Sequence, residues 1–111
     1  MPDFDRKQIR LNFDEAVNMT AAEIGAWLKT PESKRVGFKP GGKGESVGHA
    51  SGRRIVAILG SEAADLTDSD YAHMRKVVGY VKRHKAQEPA NIATSRWRYS
   101  LMNWGHDPLK E

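Results

Sequence analysis

Eight cationic side chains are the residues of this sequence best placed to do chemistry: Lys39, Lys43, Arg53, Arg54, Arg75, Lys76, Lys82 and Arg83. Four of them lie in one stretch, Arg75-Lys76-Val77-Val78-Gly79-Tyr80-Val81-Lys82-Arg83. On a helical wheel Tyr71, Met74, Val77, Val78 and Val81 share one arc, and the four cations take the other around Gly79. A row of ammonium and guanidinium groups suits phosphate oxygens. Glycine inside a helix costs about 0.5–1 kcal/mol relative to alanine. Gly79 amid four cations therefore marks a point where something approaches the backbone, either a phosphodiester chain or another helix. The same pattern also fits a solvated outer face in which glycine only permits close packing.

The remaining cations sit among glycines. Gly37-Phe38-Lys39-Pro40-Gly41-Gly42-Lys43-Gly44 has the G-x-x-x-x-G-K spacing, but Gly44 stands where Ser or Thr must reach magnesium. Pro40 lacks an amide donor and no apolar strand precedes the segment, so nucleotide hydrolysis of the phosphate-loop type is excluded. Lys39 and Lys43 on flexible backbone suit phosphates without fixed geometry, and equally suit a plain linker. Gly48-His49-Ala50-Ser51-Gly52-Arg53-Arg54 leads into a helix whose first-turn amides, with Arg53 and Arg54, could hold an anion. The alternative for both arginines is pairing with surface acids.

Other chemistries find little support. The chain has no cysteine, which removes disulfides and cysteinyl zinc sites. His73 and His84 share a helix face, but eleven residues separate them, or about 16 Å of helix, too far to ligate one ion together. His49, His106, Ser46 and the scattered acids form no local nucleophile or metal motif. No metal, cofactor or catalytic residue is expected, and the chain does not read as an enzyme.

The elements that must carry the cations follow from periodicity and caps. Ile9, Phe13, Ala16 and Val17 place an amphipathic helix over about Asp5 to Val17, with Asp3 and Asp5 at its positive end. Thr20-Ala21-Ala22-Glu23 is a capping box opening a second helix that Thr30-Pro31 ends. Six of the ten glycines lie between Gly37 and Gly52, and residues 34–50 read as a long basic loop. A third helix is expected from near Ser51 to Gly60. Thr67-Asp68-Ser69-Asp70 caps a fourth, reaching about Ala86. The last runs from about Ala93 to Trp104, with Trp97, Leu101 and Trp104 inward and Gly105 as its stop.

With 111 residues and 39% hydrophobic composition, the chain suits one core. The formal charge of +4 is lopsided. Residues 1–33 hold four Lys/Arg against six acids, and the remainder holds fourteen against eight. Such an asymmetry attracts polyanions. No apolar run reaches the roughly 20 residues needed to cross a bilayer, and Met1-Pro2-Asp3-Phe4-Asp5 does not open a secretory signal, which makes the cytoplasm the default.

Several strings resemble a family of small microbial proteins known as a domain of unknown function, some of whose members are labelled DNA-binding. They are Val17-Asn18-Met19-Thr20, Gly44-Glu45-Ser46-Val47-Gly48-His49, Ser51-Gly52-Arg53-Arg54-Ile55, His73 to Val81, Arg83-His84, and Trp97 to Pro108. The resemblance spans about Phe13 to Pro108 and carries no assigned mechanism. A fainter likeness, to the helix-loop-helix SAP module of chromatin proteins, runs from Thr20 through Leu28 to Ile55, across a longer loop than that module has. The expectation is one all-α domain over residues 1–111, a compact bundle of about five helices with the basic Gly-rich loop between helices 2 and 3. It is expected to bind DNA mainly through phosphates, without sequence readout. The alternative is a protein-interaction or homo-oligomerisation module built on the last two helices.

Overall fold

Hydroxyl side chains start five of the six helices. Thr20, Thr30, Ser46, Thr67 and Ser95 each accept a hydrogen bond from a backbone amide of the first turn that follows. Such a cap satisfies an amide that has no partner inside the helix. The computed structural model describes residues 6–110. It contains α1 (Arg6–Ala16), α2 (Ala21–Leu28), α3 (Pro31–Arg35), α4 (Val47–Leu59), α5 (Asp68–Lys85) and α6 (Arg96–Asn103), with single turns of 3-10 helix at Pro40–Gly42 and Ala63–Asp65. Among the described residues there is no strand. No helix among them is long and apolar enough to cross a membrane. The expected placement of Asp3 and Asp5 at the start of α1 lies outside the described residues.

One core unites the helices. Phe13 from α1, Ile24 from α2, Ile55 from α4, Tyr71, Met74, Val77 and Val81 from α5, and Leu101 from α6 are all almost wholly buried. Helix α1 lies along α5, α2 lies along α4, and α6 touches α2, α3, α4 and α5. The radius of gyration, 13.8 Å, is close to the roughly 13 Å expected for a folded domain of this length.

Two features differ from the sequence expectation. The pair Thr30-Pro31 ends α2 but also starts α3, since Thr30 accepts from the Ser33 amide and proline fits the first helical turn. Among the described residues there are therefore six α-helices, not about five. The long loop over 34–50 is also corrected: α3 runs to Arg35, and α4 begins at Val47, four residues before Ser51, because Ser46 caps it through the His49 amide. Only residues 36–46 remain outside α-helix, and they are tied down. Val36 and Ser46 are buried, and the Val47 amide donates to the Phe38 carbonyl at 2.8 Å.

The far end of the chain is fixed to the first helix junction. Gly105 sits at φ +83° and closes α6 in a Schellman motif, its amide bonding Met102 and that of His106 bonding Leu101. Beyond it, Asn18 exchanges two hydrogen bonds with Asp107, and Met19 donates to Gly105. His106 donates through Nδ1 to the Ala16 carbonyl at 2.7 Å.

Candidate functional site

Four of the eight sequence-predicted cations come together on α5. Arg75, Lys76, Lys82 and Arg83 are all exposed, and eight helical residues spread them over about 12 Å. They form two edges. Arg75, Gly79 and Lys82 border a shallow groove against Ile9 and Asn12 of α1, whereas Lys76 and Arg83 face the other way, with Tyr80. Gly79 between them is covered from within the helix: a β-carbon there would stand 3.1 Å from Arg83 Nη1. The missing side chain thus leaves room for a guanidinium to lie across the helix backbone. Among the described residues Lys76, Lys82 and Arg83 have no ion-pair partner.

The other four are placed differently. Arg53 grips Glu45 with two bonds, Nε to Oε2 at 2.7 Å and Nη2 to Oε1 at 2.5 Å. The same carboxylate meets His49 Nδ1 at 2.5 Å, and the opposite ring nitrogen faces the Leu28 carbonyl at 2.8 Å. Arg53 and His49 together pull the Glu45 carboxyl down to about 2. This cluster ties the loop end to α4 and to the C-terminus of α2. Arg54 bonds Ser69 and Asp70 at the start of α5. Lys39 and Lys43 lie on the loop, Lys43 exposed and Lys39 half-buried.

Sequence reasoning missed a cleft beside the cationic face. It encloses about 280 Å³ between the loop, α4, α5 and α6. Its apolar walls are Phe38, Val47, Tyr80 and Trp104, with Lys76 and Arg83 at the edge. Phe38 is 73% exposed. Tyr80 stacks on Trp104 with ring centres 4.3 Å apart, and the stacking continues from Trp104 to His73 and from Tyr80 through His84 to Trp97. Four rings on α5 and α6 and that of Trp104, the residue capping the end of α6, thus form one column. The signal was present as matching spacings of seven, His73/Tyr80 on α5 and Trp97/Trp104 on α6.

At the back of the cleft, Asn103 is 1% exposed and makes three side-chain hydrogen bonds. Its carbonyl accepts from Trp27 Nε1 at 2.7 Å and Ser33 Oγ at 2.5 Å, and its amide donates to the Ser33 carbonyl at 3.1 Å. Ser51 and His73 form a hydroxyl–imidazole pair at 2.9 Å, the beginnings of a nucleophile and base. Ser51 is only 3% exposed, and no carboxylate is hydrogen-bonded to the ring among the described residues. No group of three or more His, Asp or Glu among these residues could hold a metal ion.

A family profile described as "Protein of unknown function (DUF3140)" matches residues 12–102. The chain belongs to that family. The matched span of this DUF3140 protein takes in all eight cations and the cleft residues Phe38, Val47 and Tyr80, while Trp104 lies just beyond it. No curated protein and no solved structure matches the chain.

Proposed function

We propose that this DUF3140 protein binds nucleic acid, DNA in the first instance, by laying phosphates along the outer face of α5 without reading base sequence. The observation that carries this reading is the selective pairing of charge. Arg53, Arg54, Arg98 and Lys110 each meet a carboxylate. Lys76, Lys82 and Arg83, in contrast, are exposed on α5, Lys76 and Arg83 along one edge and Lys82 along the other, with none among the described residues. Lys39 and Lys43 stand on the loop whose Gly37 and Phe38 share the cleft with Lys76 and Arg83. Arg75 borders the opposite edge, with Lys82. Arg53 and Arg54 contribute by fixing the loop and α4 in place. The rival role, a protein-docking surface on the last two helices, is left with little apolar surface, since Trp97, Leu101 and Trp104 point into the core.

Five contacts from Lys39, Lys43, Lys76, Lys82 and Arg83 give an expected slope of log affinity against log salt of about −4.5 on duplex DNA. Fluorescence anisotropy with a labelled duplex over a salt series measures it. Lys76→Glu/Lys82→Glu, both on exposed positions, weakens binding strongly and reduces the slope by about 2. A slope near zero, or a double variant that binds as wild type does, removes this function.

A further inference from the structure

The cleft beside α5 has donors and no acceptor-rich partner, and one of its donors is idle. The chain has three tryptophans. Trp27 Nε1 donates to Asn103 and Trp97 Nε1 to the His84 carbonyl. Trp104 is 4% exposed, and no group among the described residues accepts from its indole N–H, which stays within reach of solvent. That nitrogen lies against the cleft wall: a β-carbon on Gly48, itself a lining residue, would stand 3.0 Å from Trp104 Nε1. Glycine at this point keeps the N–H uncovered. The nitrogen is open to the cleft rather than sealed in the core, so an acceptor seated there takes the place of water on it.

The remaining chemistry narrows the ligand. Lys76 and Arg83 supply positive charge, and no Asp or Glu lines the cleft, so the occupant carries an anion. The exposed Phe38 offers a ring face, whereas Tyr80 is stacked between Trp104 and His84, so the occupant carries a flat ring that lies on Phe38. A volume of about 280 Å³ is at the small end of ligand pockets, which run from roughly 300 to 1,000 Å³. It fits one ring system with one phosphate.

We infer that the cleft binds a nucleoside monophosphate unit, its base against Phe38 with an acceptor on the Trp104 indole, and its phosphate on Lys76 and Arg83. The unit arrives either as one nucleotide of a single strand or as a free mononucleotide. The strand-borne form rests on the nucleic-acid reading given above, and the free form does not. Stacking on aromatic side chains tolerates any base, because every base has a π face.

The indole resonances of the ¹⁵N-labelled full chain give a direct readout. Adenosine 5′-monophosphate shifts the Trp104 N–H downfield, while those of Trp27 and Trp97, already bonded, hold still. Adenosine and inorganic phosphate each bind at least about tenfold more weakly than the nucleotide, and Phe38→Ala or Arg83→Gln weakens nucleotide binding about tenfold. A ten-nucleotide single strand of thymidylate that moves the same resonance identifies a strand as the source. A response to the mononucleotide alone identifies free nucleotide. A Trp104 resonance unmoved by both ligands at millimolar concentration overturns the inference, even where duplex binding keeps its steep salt slope. Equal binding of adenosine and its monophosphate overturns it too. A moved resonance with no duplex or strand binding preserves the inference in its free-nucleotide form and removes the proposed function.

Discussion

His84 stands between Tyr80 and Trp97 with its Nε2 buried and without a partner among the described residues. Burial holds its pKa below the ordinary imidazole value, and the same cause acts on His73 and His106. A lowered folded-state value means that the unfolded chain takes up protons first as the pH falls through about 6.5. These three histidines therefore leave stability intact above that pH and reduce it progressively below. His84→Phe keeps a ring in the column and removes the unsatisfied nitrogen. It is expected to raise stability by about 1 kcal/mol at neutral pH and to make the fall in melting temperature between pH 7 and pH 5 shallower. Calorimetric melts of both proteins across that range test this, and a variant that melts lower than wild type at every pH contradicts it. At this scale the sequence said little. It flagged His73 and His84 as sharing a helix face, but their partners come from α6 and from Ser51. Likewise the fate of Arg53 and Arg54 depends on Glu45, eight residues away, and Asp70, sixteen away, and either arginine could equally have pointed to solvent.

Helix starts were legible because capping is local: Thr20 with Glu23 and Thr67 with Asp70 form reciprocal boxes within four residues. Gly105 likewise announced the end of α6. The boundary errors have the same origin, since Thr-Pro is a stop for the preceding helix and a start for the next. Ser46 was overlooked because the glycines after it favour loop, whereas tertiary packing decides their conformation. Gly48 and Gly52 lie inside α4 where it crosses α6. A β-carbon on Gly52 would stand 2.6 Å from the Asn103 carbonyl oxygen and 2.7 Å from Leu28 Cδ2. Gly52→Ala gains about 1 kcal/mol of helix propensity, and the overpacking it forces against backbone costs more. A net loss of about 2 kcal/mol is expected in urea unfolding. An unchanged or raised midpoint would show that α4 and α6 can separate freely.

Across the whole molecule, fold class and single-core organisation were readable from periodicity and composition, and the cleft was not. Its walls come from positions as distant as Phe38, Tyr80 and Trp104, which nothing in a linear reading connects. The charge asymmetry was visible, but only the folded chain separates neutralised arginines from the cations left on α5. The two ends of the domain meet in the Asn18–Asp107 exchange and the His106–Ala16 bond. A chain ending at Trp104 lacks those bonds and the motif that closes α6. It is expected to lose its cooperative thermal transition, monitored by near-ultraviolet circular dichroism. A sharp transition in that truncated chain would show the clasp to be ornamental.

That clasp joins residues 89 positions apart, and it has a consequence for biosynthesis. A polypeptide emerging from the ribosome presents α1 and α2 long before Asp107 exists to hold their junction. Helices flicker earlier, but the native arrangement is reached only after translation has passed its last turns. Until then Phe13 and Ile24 stay open to chaperones and proteases.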